Sequence, residues 1–172
     1  MYYSRVRILG IDPGYDRCGW ALLLAQPGKQ GQVLASGTLQ TTRGRALPER
    51  LHELAVGLDT LLKDHTPDCL AVEELFFTKN VKTAIGVAQA RGVVLERAAA
   101  AGLPIGEYAP TMVKSQLTGN GRADKAQVAF MARRLVALDT VARLDDELDA
   151  IAVALCHSQR VSIPAVLREV RK

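Results

Sequence analysis

At 172 residues, with 48% apolar and 23% charged side chains, the chain has the size and composition of one globular domain, not a disordered segment. No apolar run is long enough to span a bilayer and no signal-peptide pattern opens the chain, so a cytoplasmic protein is expected. The net charge of +4 is compatible with a polyanionic partner without demanding one. Cys18, Cys69 and Cys156, odd in number and far apart, read as buried thiols instead of disulfides or a zinc site.

The first element is the run Val6, Ile8, Leu9 and Ile11, a buried strand that stops at Asp12-Pro13-Gly14. Residues 17–25 and 32–40 give two more strands, and the short, turn-rich connections make the three an antiparallel meander. Leu47, Leu51, Leu54, Leu58, Leu61 and Leu62 then recur at helical spacing over 47–63, with Glu49, Arg50, Glu53 and Lys63 off that face. Thr66-Pro67-Asp68 ends the helix, and Cys69-Leu70-Ala71-Val72-Glu73-Glu74 follows as a fourth strand, which the crossover makes parallel to an earlier one. A loop at 75–80 leads into a helix over 81–101 whose expected stripe is Ala84, Ile85, Ala88, Leu95 and Ala99. Val87, Val93, Val94 and Ala98 spread apolar surface well beyond it, with Val87, Val93 or Val94 as candidate subunit contacts. A deeply buried helix and a subunit contact both account for that spread, and Gly86 and Gly92 would let a partner approach closely.

Residues 104–109 form a short fifth strand and 111–117 a turn or two of helix carrying Lys114. The segment 119–123 is the most flexible in composition. Asp124 and Gln127 have capping-box spacing for a helix through 136 that carries Lys125, Arg133 and Arg134. The last main helix covers 145–158, with Leu148, Ile151, Ala152 and Leu155 on its buried face, and 163–172 reads as a frayed tail. Nothing suggests a domain boundary, so one domain over 1–172 is expected.

The chemistry lies in the acids. Asp12 and Glu73 end two core strands, and Asp146 and Asp149, three apart, share a face of the last helix. Strand ends of an open α/β sheet face one crevice, and a helix crossing it would gather all four carboxylates. Gathered acids repel unless hard cations sit among them, and Mg2+ or Mn2+ suits oxygen donors. Each acid also has a plainer explanation: a turn-opening Asp before Pro-Gly, a solvated strand end at Glu73-Glu74, and dipole-complementing acids in the first turn at 145–147. The coincidence of all four favours a metal site. His157 offers a further proton-transfer group, although a lone helical histidine is more often packed than reactive.

The stretches Leu9-Gly10-Ile11-Asp12-Pro13-Gly14, Ala71-Val72-Glu73-Glu74-Leu75-Phe76, Lys79-Asn80, Gln89-Ala90-Arg91-Gly92 and Asp146-Glu147-Leu148-Asp149-Ala150-Ile151-Ala152 stand in one order across nearly the whole chain. In them the chain resembles the RuvC family of Holliday-junction resolvases, within the ribonuclease H-like superfamily. The resemblance implies an α/β fold, a ribonuclease H-like mixed five-stranded sheet with helices on both faces. It implies a metal tetrad of Asp12, Glu73, Asp146 and Asp149, with Glu74, Asp145 and Glu147 as neighbouring acids that could compete for the role. It assigns junction contact to Phe76 and DNA contact to Lys114 and Lys125, to which Lys79 and Arg122 are added here. The implied activity is paired, symmetric nicking of four-way DNA junctions in homologous recombination and DNA repair, by a homodimer working with a branch-migration helicase. In-line attack of water, with two Mg2+ or Mn2+ ions about 3.5–4 Å apart, would leave 5′-phosphate and 3′-hydroxyl ends. A non-catalytic scaffold of this fold would lack one of the acids, an actin-like phosphotransferase would need a second domain, and a ribonuclease acting on RNA would have no use for the junction-contacting aromatic.

Overall fold

Val6, Ile8, Leu9 and Ile11 are all essentially without solvent contact, with Val6 and Ile8 in one apolar cluster and Leu9 and Ile11 in another. A strand buried on both faces needs a continuous apolar run, and that is what its sequence supplies. This strand, β1 (Val6–Asp12), is third in a six-stranded sheet of order β5-β4-β1-β2-β3-β6, completed by β2 (Arg17–Ala25), β3 (Gly31–Gln40), β4 (Cys69–Glu73), β5 (Ile105–Tyr108) and β6 (Val136–Leu138). The computed structural model describes residues 5–75, 81–138 and 145–160, with side chains at 81–83 and 138 outside that description. The tail at 163–172 therefore lies outside the described residues.

The meander is present: β2 runs antiparallel to β1 and to β3, while β4 is parallel to β1 and β5 parallel to β4. The expected strand count of five is corrected to six. Residue Val136, read as the end of a helix, turns extended (φ −120°, ψ 149°) and opens β6, which pairs in parallel with the start of β3.

On one face lie α1 (Leu47–His65) and α2 (Val81–Ala100); on the other lie α3 (Pro110–Thr118), α4 (Lys125–Leu135) and α5 (Asp145–Arg160). α1 ends where Thr66 takes a left-handed conformation (φ 41°) before Pro67. α4 begins with both halves of its capping box made: Gln127 N donates to Asp124 Oδ1 at 2.8 Å and Asp124 N to the Gln127 side chain at 3.0 Å. The segment before it, flexible in composition, is tied down by Asn120, whose Oδ1 accepts from Arg122 N and whose carbonyl accepts from Ala123 N, both at 3.0 Å.

Arg50, read only as lying off the leucine face of α1, is not solvated. It is buried, donates to Thr41 Oγ1 and to the Tyr15 carbonyl, pairs with Asp16 and stacks on the Tyr15 ring, so it pins the turn that follows Asp12. In α2 the line Ala90, Val94, Ala98 is wholly buried against Leu9, Ile11 and Val72, which makes Val94 a core residue and not a subunit contact. Gly86 is also committed within the chain, since a Cβ there would lie 2.7 Å from the Tyr15 ring, whereas Gly92 faces open space. The three cysteines are free and buried. Among the described residues no helix is long and apolar enough to cross a membrane.

Candidate active site

Asp12 and Glu73 end adjacent parallel strands, held in register by the pairing of Ile11 with Val72. Their side chains therefore share one end of the sheet. The helix that joins them is α5, and glycine decides how closely it lies. A Cβ at Gly10 would fall 2.2 Å from the Ala150 carbonyl oxygen, and one at Gly19 would fall 2.1 Å from that of Asp146. Gly19 is also the β2 residue paired with Asp12. Backbone thus meets backbone at the first turn of α5 beside Gly19 and again further along it beside Gly10, and only glycine in the strands allows it.

This seating brings the four acids into one field. Burial first, then the charges of Asp149, Glu73 and Asp146, push Asp12 up to about 7, with Lys125 pulling the other way. Burial and then Asp149 push Glu73 up to about 7 against Lys114 and Lys125. Burial raises Asp149 as well, despite its hydrogen bond from Lys125. Asp149, Glu73, Lys114 and Lys125 border a cleft of about 260 Å3 floored by Pro110, Val113 and Val128.

Two cations reach into the cluster. Lys125 Nζ lies 3.0 Å from Asp149 and 3.7 Å from the exposed Asp145, and Arg17 Nη2 lies 2.8 Å from Asp146 Oδ2. Burial works against the charge on Lys125, but its bond to Asp149 and the charges of Asp149, Asp145 and Asp12 outweigh it and raise its pKa. No N–H of Arg17 is aligned on Asp146 Oδ2, which is left buried without a hydrogen-bond partner among the described residues. Among those residues no three acids, histidines or cysteines converge closely enough to ligate one ion as they stand. The donor set nevertheless fits a hard divalent cation: oxygens only, partly desolvated, mutually repelling, one of them orphaned.

The competing acids are occupied or turned away. Glu147 accepts from Ser36 Oγ at 2.7 Å, and Glu74, next to Glu73 in sequence and hence on the opposite side of the strand, is exposed. Arg122 is exposed in the turn between α3 and α4 and does not border the cleft. Phe76 and Lys79 lie outside the described residues. His157 is a packing residue: buried between Tyr108 Oη (2.8 Å) and Cys69 Sγ (3.4 Å), it is pushed down to about 4 by burial and stands two turns of α5 beyond Asp149.

Sequence reasoning missed Gly10, Gly19, Arg17 and the role of Arg91. Arg91 Nε donates to the Glu73 carbonyl at 3.0 Å while its guanidinium pairs with Glu107 on β5, so it clamps the strand end that carries Glu73. The signal for the glycines was present, since glycine inside a strand marks close backbone approach.

The raised carboxylates carry a test. A carboxyl whose folded pKa is raised stabilises the fold when protonated, and that stability is lost as pH rises through the folded value. For Asp12 the window runs from its ordinary 3.8 to about 7. In EDTA, Asp12→Asn is therefore expected to melt close to wild type at pH 4 and several degrees above it at pH 8. Mg2+ at pH 8 should shrink or reverse the gap by stabilising wild type alone. Calorimetry of both proteins checks this, and equal melting at pH 8 in EDTA would show that Asp12 is not in a repulsive, desolvated set.

A family model described as crossover junction endodeoxyribonuclease RuvC matches residues 8–157. Among curated relatives of that description, one from Frankia alni is 44% identical over 163 residues, covering 95% of this chain and 83% of the relative. Another from Chloroflexus aggregans is 47% identical over 153 residues, covering 89% of this chain and 93% of the relative. Among solved structures, T. thermophilus RuvC in complex with Holliday junction substrate superposes with a TM-score of 0.82 at 30% identity, covering 95% of this chain and 97% of that one.

Proposed function

The chain belongs to the RuvC family of crossover junction endodeoxyribonucleases, and from that membership we propose how its own residues cut a four-way DNA junction. The observation that carries the reading is the seating of α5 on Gly10 and Gly19, which draws Asp146 and Asp149 into the field of Asp12 and Glu73. These four carboxylates would hold Mg2+ or Mn2+, two ions per site. When bound, such ions supply Lewis-acid activation of water and charge neutralisation at the leaving 3′ oxygen. The protein side of the reaction is positional. Arg91 and the β1–β4 register fix Glu73, Arg50 and Thr41 fix the turn after Asp12, and α5 fixes the other two acids. Lys114 and Lys125 are cations at the cleft wall suited to the phosphates either side of the cut. Lys125, now paired with Asp149, is placed so that it could pass to a DNA phosphate. Phe76, Lys79 and Arg122 are proposed to extend the contact. Purified protein incubated with a labelled four-way junction tests the reading: symmetric paired nicks with Mg2+ and none with EDTA are expected, and metal-independent cutting would overturn it.

A second copy of the chain and a branch-migration helicase complete the proposed machine. Two cuts related by the junction's two-fold axis call for two sites related by the same axis, which a C2 dimer provides. With Val94 in the core, the outward side of α2 offers Ile85, 54% exposed, and the open Gly92. Ile85→Glu is expected to leave the fold intact, shift the mass by light scattering from dimer to monomer, and turn paired cuts into single nicks. A wild type that stays monomeric at assay concentration yet makes concerted cuts would end the dimer proposal.

A further inference from the structure

Helices α3 and α4 and the turn between them carry five cations, Lys114, Arg122, Lys125, Arg133 and Arg134, against one acid, Asp124. That surplus of four equals the net charge of the whole chain, so the rest of the molecule balances to zero. Attraction for a polyanion is therefore concentrated on one part of the surface. Lys114 and Lys125 serve the cleft. Arg133 and Arg134 do not: they ride the far end of α4, exposed, and neither forms an ion pair among the described residues. Eight helical residues separate Arg133 from Lys125, about 12 Å along the axis. Beside them stands Phe130, 57% exposed, with the Arg134 guanidinium 5.5 Å from its ring centroid. A ring under a guanidinium restrains the arginine and keeps its charge facing outward.

We propose that Arg133 and Arg134, the latter braced by Phe130, form a second DNA contact that grips the phosphate backbone of a junction arm as it leaves the cleft along α4. Arg133 is turned about 80° and Arg134 about 180° around α4 from Lys125 at about 100° per residue, so with about 3.4 Å of rise per nucleotide this contact falls at least about four nucleotides beyond the phosphate that Lys125 meets. The contact is to phosphate and so adds affinity without reading sequence. The inference rests on the junction-cutting reading above. Charge favours DNA over a protein partner on this face, because no acid on α4 beyond its N-cap offers a partner's cations a counter-charge.

The test compares wild type, the double variant R133Q/R134Q and Phe130→Ser on a four-way junction across a salt series. If wild type neither binds nor cuts the junction, the proposed function fails and this inference with it. If wild type does both, the double variant is expected to bind about 10–100-fold more weakly at low salt, with a slope of log affinity against log salt shallower by about 1.8, or 0.9 for each phosphate lost. Its single-turnover rate at saturating DNA should match wild type, and Phe130→Ser should show a smaller loss of the same kind. Methylphosphonate neutralisation scanned outward along the arm, from about four nucleotides beyond the phosphates nearest the cut, should weaken wild type at one or two positions and leave the double variant unaffected there. An unchanged affinity and salt slope in a variant that melts like wild type would overturn the proposal and leave the face to another partner. Should the double variant melt early, R133Q and R134Q singly, each at an exposed position, decide the same question.

Discussion

Asp146→Asn is expected to cut four-way junctions at least about 100–1,000-fold more slowly than wild type while binding them within a few-fold, the scale on which single electrostatic contacts to a transition state act. The substitution keeps the volume of the side chain and removes its charge. Its Oδ2 is one of two buried side-chain oxygens with no hydrogen-bond partner among the described residues, so the substitution breaks no hydrogen bond at that atom, and the ion-paired Arg17 is itself 42% exposed and can turn to water. Binding survives because affinity for nucleic acid comes mainly from cations meeting phosphate, and none of those is altered. Asp12→Asn and Glu73→Gln should behave alike. Gel shift in EDTA and single-turnover cutting in Mg2+ separate the two properties. Near-normal cutting by Asp146→Asn would remove that residue from the site.

What the sequence disclosed best was the part governed by local pattern. A buried strand must be apolar throughout, so the acids at the ends of β1 and β4 stood out as charges that burial should have excluded, and the structure finds both partly desolvated with raised pKa values. The capping box at Asp124 and the meander β1–β2–β3 depend on neighbours in sequence, and both were legible for that reason. β6 was not. Its three residues follow α4 with no glycine, proline or polar break, and only pairing with β3, more than a hundred residues earlier, makes them a strand.

The misread residues share a cause. Arg50 looks solvated on a helical wheel because its partners Thr41, Tyr15 and Asp16 come from other elements. Val94 looked surplus to one apolar stripe, but small residues at Ala90 and Ala98 let α2 sink onto the sheet until a broad face is buried. His157, by contrast, was read as more often packed than reactive, and it is packed: Tyr108 and Cys69, brought in by β5 and β4, meet both ring nitrogens. In each case a polar or apolar count along the chain gives the composition of a face and not what the fold lays against it.

Gly19→Ala should show how narrowly the site is built. The added methyl would sit 2.1 Å from the Asp146 carbonyl oxygen and 2.6 Å from its carbonyl carbon. Both are backbone atoms, which no rotamer change can move aside, so the first turn of α5 must lift. Overpacking of this kind costs about 1–3 kcal/mol, and at about 2–4 °C per kcal/mol for a chain of this size the melting temperature should fall by about 2–12 °C. The helix end can yield without dislodging Ile151 and Leu155 further along, so the fold should survive. Cutting should not: misplacement of about 1 Å costs on the order of 100-fold, and here two carboxylates move away from Asp12 together. Junction binding, for which the proposed contacts lie outside α5, should stay near wild type. Gly10→Ala makes the useful contrast, because its methyl would meet the Ala150 carbonyl oxygen at 2.2 Å and the Ala154 side chain at 2.8 Å, in the middle of α5, where relief requires prising the whole helix from the core. It should lose more stability than Gly19→Ala for a similar loss of cutting. A Gly19→Ala protein that melts and cuts like wild type would mean that α5 is not held at backbone contact, and the account of how Asp146 and Asp149 reach Asp12 would have to be abandoned.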